Sequence, residues 1–426
     1  MGYCQNKALS NIMMNIDRII SFLRKMTFFD INKIMKGSPP PIEYQVTLDN
    51  WRKYPFNSWS FVNVRNLIPT SPIYNNPDRE VKLQKQLIDI NDLHINHKNS
   101  SYRLKEILKK CDVDAFLVMH KGKIKFEFYD KFTKFNTPHI IFSVSKSLTS
   151  LLTGILVEKK VININSYISH ILPETKGTAY EDATVRNVLD MSIASGFIED
   201  YTGQAEIFKK YRSSTGWDLP ETNSTQTVKG LHDFLSSMPK SNQKHGKKYH
   251  YCSPHSDLLG WIIERASGEN YSKIMADLLF KKAGINHEAN VTVDKWGASR
   301  AAGGISVSPY DLLLLSELVR NHGSNKNGQV IPASWIEDFV NNENNSIYLN
   351  QDNLERFPKG NYRSKWYQTG FKDNEYCAIG IHGQNIWINP QKEITIIRMS
   401  SASDPINIQT EKLMFSVFDE ISKIFI

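Results

Sequence analysis

Ser143 and Lys146 stand three residues apart at the head of the run Phe142-Ser143-Val144-Ser145-Lys146-Ser147-Leu148-Thr149-Ser150-Leu151-Leu152. Residues at that spacing are neighbours on one face of a helix. The first helical turn carries unpaired N–H groups and the positive end of the helix dipole. A negative oxygen on Ser143 is favoured there, a charged Lys146 is disfavoured, and burial would lower the lysine pKa further. A neutral lysine amine can take a serine proton, so the pair is a candidate nucleophile and base. The same spacing recurs at Ser237/Lys240 and Ser241/Lys244, in a polar stretch containing Pro and Gly. An isolated pair of this kind is ordinarily a helix cap with a solvated lysine. Only the copy at 143 opens an apolar helix, with Val144, Leu148, Leu151, Leu152 and Ile155 at three- and four-residue steps.

A second hydroxyl-bearing stretch is Tyr249-His250-Tyr251-Cys252-Ser253-Pro254, followed by an apolar helix over Leu258 to Ala266 that ends at Gly268. Tyr251 and Ser253, two apart, can present both hydroxyls from one side of an extended turn. The plainer reading is a buried tyrosine with a satisfied hydroxyl. Ala301 to Ile305 is rich in small residues and precedes a helix over Asp311 to Asn321, which fits backbone packing beneath a site. No basic residue follows at phosphate-loop spacing. Gly380-Ile381-His382-Gly383-Gln384 falls inside a strand read from Tyr376 to Ile388. Two glycines in a strand interior weaken it unless a ligand or another backbone approaches there.

The elements that must position these residues are legible in outline. Ala115–His120 and Lys123–Tyr129 form a hairpin, with Ile124, Phe126 and Phe128 alternating with charged residues. The Ser143 helix should stop before Lys159 and Lys160, which suit the negative end of its dipole. Thr184 caps a short helix behind it. A polar stretch from Gly203 to Gly246 is of the kind that shapes a cleft. After the long strand, a turn at Asn389–Lys392 leads to a strand over Glu393 to Ser400. Leu413, Met414, Val417, Phe418, Ile421 and Phe425 then mark a terminal amphipathic helix.

The 426 residues, 40% apolar and 23% charged with net charge +8, suffice for a large core or two packed lobes. Lys and Arg are scattered, and no nucleic-acid signature is present. The four cysteines are widely spaced, which fits a reducing compartment and argues against a disulfide framework or structural zinc. The histidines do not cluster at ligand spacing, and no metal is expected. Residues 1–41 read as a basic extension closed by Gly37-Ser38-Pro39-Pro40-Pro41, a stiff linker. Charges interrupt the apolar run from Ile12 to Ile34, which argues against a cleaved signal or a membrane span. Membrane contact through a basic amphipathic helix is open but not favoured, and a cytoplasmic location is expected ahead of a periplasmic or membrane-peripheral one. The aromatic run Trp51 to Phe61 is expected to pack on the core.

Ser143-x-x-Lys146, then Tyr251-x-Ser253, then a glycine-bearing strand at Gly380 resemble, in that order, the penicillin-recognising serine hydrolases. Phe142 to Ser147, Ile379 to Gln384 and the tryptophan arm look closest to the branch of 6-aminohexanoate-dimer hydrolases and esterases. The resemblance implies an α+β, β-lactamase/transpeptidase-like fold over residues 42–426. An antiparallel sheet would be flanked by helices, a mostly helical lobe would occupy about 150–300, and the cleft would lie between them. It implies Ser143 as acylated nucleophile, Lys146 as its base or electrostatic partner, and Tyr251 as proton shuttle. The N–H groups of Ser143 and Ile381 would form the oxyanion hole. Tyr201, Ser253, Gly380 and His382 would border the substrate, and no cofactor would be needed. Tyr201 would match a mobile-loop tyrosine that touches the scissile amide. Ser253 stands where many relatives have Asn, as a partner of Lys146. Ala378-Ile379-Gly380 aligns with Lys-Thr-Gly of β-lactamases and D,D-peptidases, so the lysine that helps hold a substrate carboxylate is lost; a rival alignment places Ile381-His382-Gly383 there. The implied activity is hydrolysis of a small ester or amide. A β-lactamase or D,D-peptidase and a non-catalytic binding relative are the alternatives.

Overall fold

Alternating apolar side chains from Val113 onward build the centre of the molecule. In the computed structural model, which describes residues 29–79, 81–219, 230–343, 346–349 and 355–425, eight strands form the main sheet. They are β1 (Gln84–Lys85), β2 (Val113–His120), β3 (Lys123–Tyr129), β4 (Asn361–Arg363), β5 (Trp366–Gln368), β6 (Tyr376–Gly380), β7 (Gln384–Asn389) and β8 (Ile394–Ser400). Their spatial order is β4-β5-β6-β7-β8-β2-β3-β1. Only the β1–β3 pairing at the edge is parallel. The hairpin expected at 115–129 is β2–β3, with Phe116 opposite Phe128.

Four helices position or cover the nucleophile region: α1 (Val144–Glu158), α2 (Ser253–Ser267), α3 (Pro309–Arg320) and α4 (Ile408–Ile424). Helix α1 is buried along its length from Val144 to Leu156 and packs on α2. It stops before Lys159, as its sequence predicts. Helix α4 lays Met414, Val417, Phe418 and Ile421 on the outer sheet face, where Phe418 stacks on Phe116 at 6.2 Å. Among the described residues, most of the other α-helices fall between 150 and 300. A second, four-stranded sheet (Thr70–Ile73, Ala289–Thr292, Ile305–Val307, His139–Ile140) connects them to the nucleophile strand segment.

Two expectations need correction. The stretch Tyr376–Ile388 is not one strand: it breaks after Gly380 and turns back at Gln384, so Gly380 pairs with Gln384. His382 and Gly383 take φ of 60° and 88°, which an extended strand cannot hold. Helix α2 begins at Ser253 rather than Leu258, because Pro254 suits a first helical turn. The amphipathic segment from Ile12 lies outside the described residues up to 28; Ile31–Lys33 is a single 3-10 turn. Ile34, Tyr44, Trp51 and Phe61 are buried together with Phe142 and Trp217. Among the described residues no helix is long and apolar enough to cross a membrane.

Candidate active site

The chain reaches the nucleophile through Phe142, whose φ of 42° is unusual for a bulky side chain. The sharp bend sets Ser143 at the N-cap of α1, where its own side chain caps nothing. Lys146, one turn on, is 2% exposed. Its Nζ lies 2.8 Å from Ser143 Oγ and 2.7 Å from the carbonyl oxygen of Ala302. Burial depresses the ammonium to a pKa of about 8, against a partial opposing pull from Glu199. The backbone at Ala302 is held in turn, since the N–H of the same residue donates to Asp257 Oδ1 at 2.8 Å. Asp257 also takes the Tyr211 hydroxyl at 2.5 Å and is paired with Arg300. This is the packing role expected of the Ala301–Ile305 stretch.

Tyr251 lies across the pair. Its ring centroid is 5.1 Å from Lys146 Nζ, and it borders the same cavity as Ser143. Burial pushes its pKa well above that of a free phenol, with Tyr367 and Glu199 adding to the shift and Ser143 opposing it. Tyr251 is therefore a neutral phenol at rest.

The broken hairpin brings the end of β6 against the nucleophile peptide. A Cβ on Gly380 would stand 2.7 Å from Ile141 O and 3.1 Å from Ser143 N, so only glycine allows this approach. Ile381 follows directly in the turn. Among the described residues, neither the Ser143 nor the Ile381 N–H donates to a backbone carbonyl. Ser143, Tyr251, Gly380 and Ile381 all border one cavity of about 560 Å³. Its far wall holds Arg356, which grips Glu411 of α4 through Nε at 2.6 Å and Nη2 at 2.8 Å.

The remaining residues expected near the substrate are held by partners of their own. Tyr201 borders the cavity, but its hydroxyl donates to Glu199 Oε1 at 2.6 Å. Ser253 is not a partner of Lys146: its Oγ donates to Glu199 Oε1 at 2.6 Å and its N–H to Oε2 at 2.8 Å. His382 does not border the Ser143 cavity. Its Nδ1 donates to Ala402 O at 2.8 Å and its ring rests 5.1 Å from Phe61, because the reversed turn carries it to the other side of Ile381. Burial lowers its pKa to about 4.

Sequence reading missed Glu199, the carboxylate that gathers Tyr201 and Ser253 beside the lysine. Its position two residues before Tyr201 was the available signal. It also missed Arg356 and Glu411, which lie 55 residues apart in the chain. Among the described residues, no group of three or more His, Cys, Asp or Glu could hold a metal. Cys111, Cys252 and Cys377 are buried free thiols.

A hydroxyl at a helix mouth, a lysine of lowered pKa behind it, and an antiparallel sheet edge beside a helical lobe define a serine hydrolase of the penicillin-recognising architecture. A family model described as Beta-lactamase matches residues 108–415, and the chain belongs to that family. It is 29% identical over 359 residues to the 6-aminohexanoate-dimer hydrolase of Paenarthrobacter ureafaciens, covering 84% of this chain and 89% of that protein. A solved structure from Bacillus anthracis, named provisionally as a 6-aminohexanoate-dimer hydrolase, superposes with a TM-score of 0.82 at 21% identity, over 90% of this chain and 98% of that one. The hydrolase EstCE1, described as having promiscuous acyltransferase activity, shares the fold with a TM-score of 0.58 at 11% identity, over 74% of this chain and 98% of that one.

Proposed function

We propose that this enzyme hydrolyses the ester or amide bond of a small linear substrate through an acyl-enzyme on Ser143. The observation that carries the reading is the 2.8 Å contact between Ser143 Oγ and a buried lysine whose pKa is about 8. At neutral pH a fraction of that lysine is a free amine able to accept the serine proton. Ser143 Oγ attacks the carbonyl carbon as its proton passes to Lys146. The N–H groups of Ser143 and Ile381 receive the oxyanion; losing one such donor typically costs about 3 kcal/mol of transition-state stabilisation. Tyr251, a neutral phenol between the serine and the cavity, gives its proton to the departing amine or alcohol as it is reprotonated through Lys146. Water then attacks the acyl carbon, its proton leaving by the same relay, and Ser143 is restored.

Ile198, Ile379 and Ile406 border the cavity together with several tyrosines, a lining suited to an uncharged chain across the reacting bond. The name of the Paenarthrobacter relative, a hydrolase of a linear amide dimer, supports the same class. The strand beside Ser143 reads Ala378-Ile379-Gly380 without a lysine, which argues against efficient β-lactamase or D,D-peptidase action. The test is covalent labelling. A fluorophosphonate probe should label the parent and not Ser143→Ala, and nitrophenyl esters and linear amide oligomers should be turned over ahead of a chromogenic cephalosporin. Equal labelling of the alanine variant would remove Ser143 from the mechanism.

A further inference from the structure

Beyond Ile381 lies a second cavity of about 440 Å³, which shares Tyr201, Ile381 and Pro405 with the first. The two therefore adjoin at Ile381, on the side where its N–H would meet the oxyanion. Their charges differ. The first cavity is bordered by the Arg356–Glu411 pair and by the carboxylate of Glu199, an excess of one negative charge among these residues. The second is bordered by Arg52, Lys53 and Arg212 against Asp49 and Asp218, an excess of one positive charge among its described residues. His382, also on its wall, adds none at neutral pH, since burial lowers its pKa to about 4.

The arrangement of that excess is specific. Asp218 is shared by two guanidinium groups: Arg52 Nη2 contacts its Oδ1, and Arg212 Nε lies 2.8 Å from its Oδ2. One carboxylate cannot neutralise both. Arg52 is further held over the Trp51 ring at 5.1 Å, which restrains its guanidinium before any ligand arrives. Burial lowers the Arg52 pKa to about 10, with Arg212 and Arg300 adding to the shift. Restrained guanidinium groups with a surplus charge, in a concave wall that also includes Ile381, favour an oxyanion of the ligand by charge-assisted hydrogen bonds.

We propose that this second cavity is a subsite for an anionic group, carboxylate or phosphate, carried by the substrate on one side of the scissile bond. The reading rests on Ser143 hydrolysis and deepens it: the substrate is apolar across Ser143 and negatively charged at the end beyond Ile381. The anion enters without covalent change and leaves with its product.

The test compares matched aryl esters. Butyrate esters of 4-hydroxybenzoate and 4-hydroxybenzamide place the charge or its neutral isostere on the leaving side. Nitrophenyl hemiglutarate and its terminal carboxamide place them on the acyl side. Phosphate-bearing aryl esters form a third arm that separates phosphate from carboxylate. The parent should favour the anion over its neutral isostere in at least one pair by about tenfold in kcat/KM, chiefly through KM. That preference should shrink as salt rises. Arg212→Gln should lower the ratio about tenfold and Arg212→Lys should restore part of it. Arg52→Gln should act in the same direction, with a melting curve to show that it folds. Equal kcat/KM for charged and neutral partners in every arm of the parent would overturn the subsite while leaving Ser143 hydrolysis standing. A preference that survives both glutamine variants would overturn it as well. Absence of turnover of every ester would fall on the hydrolase reading instead. In that event, calorimetric titration of 4-hydroxybenzoate and inorganic phosphate into the parent and Arg212→Gln decides the subsite alone: binding lost in the variant supports it, and no binding to the parent overturns it.

Discussion

Replacing Glu199 with Gln separates the charge that tunes the base from the base itself. Lys146 is depressed by burial from 10.5 to about 8, and Glu199 is the largest charge opposing that shift. With the carboxylate present, about a tenth of the lysine is neutral at pH 7, roughly three-hundredfold more than for a lysine at its ordinary pKa. Glu199→Gln removes the attraction that favours the ammonium, so the lysine pKa must fall further, on the order of one unit. The neutral fraction at pH 7 would rise to about half. Glutamine cannot accept all the bonds that Glu199 takes from Tyr201 and Ser253, so the limiting rate should drop. The sign of the pH effect is independent of that loss. The assay is the second-order rate of inactivation by a fluorophosphonate, measured from about pH 5 to about pH 10, a range that contains the ascending limb of a base near 8. The midpoint of that limb should move to lower pH while its plateau falls. A midpoint that stays in place or moves up would refute the claim that Lys146 is the titrating base under the field of Glu199.

Tyr251→Phe should slow turnover by about 10² to 10⁴, with a slow acylation burst remaining, as read by stopped-flow release of nitrophenol. Gly380→Ala should weaken both fold and activity, since the new Cβ would meet Ile141 O at 2.7 Å; a stability loss of about 1–3 kcal/mol in urea titration is expected, with reduced probe labelling. Asp257→Asn would leave Arg300 buried without its counter-charge and loosen the Ala302 peptide that holds Lys146. It should cost about 3–5 kcal/mol by denaturant unfolding.

The sequence carried the parts of this site that depend on local pattern. The apolar spacing behind Ser143 placed α1, the alternation of Ile124, Phe126 and Phe128 placed β3, and the terminal apolar stripe placed α4. The reversal at Ile381–Gly383 was not legible. The apolar residues on both sides read as one strand, and the positive φ at His382, a residue type that tolerates it, is imposed by pairing across β6 and β7. That single reversal decides which side of Ile381 the histidine occupies. Glu199 was hidden for another reason: it works on residues brought together by three separate segments, and no periodicity links a carboxylate to a partner such as Ser253, 54 positions away.

The bend at Phe142 is held by a clamp from elsewhere in the chain. Trp51 stacks on the Phe142 ring at 6.4 Å, Trp217 meets it edge-on at 5.9 Å and Phe61 at 4.9 Å. Two of those three rings precede residue 108, where the family match begins. A fragment trimmed to the matched region would keep the nucleophile, its lysine and its tyrosine, yet lose the brace that keeps the serine cocked toward its substrate. In this protein the reactive posture of the alcohol is imposed from outside the segment that carries its chemistry.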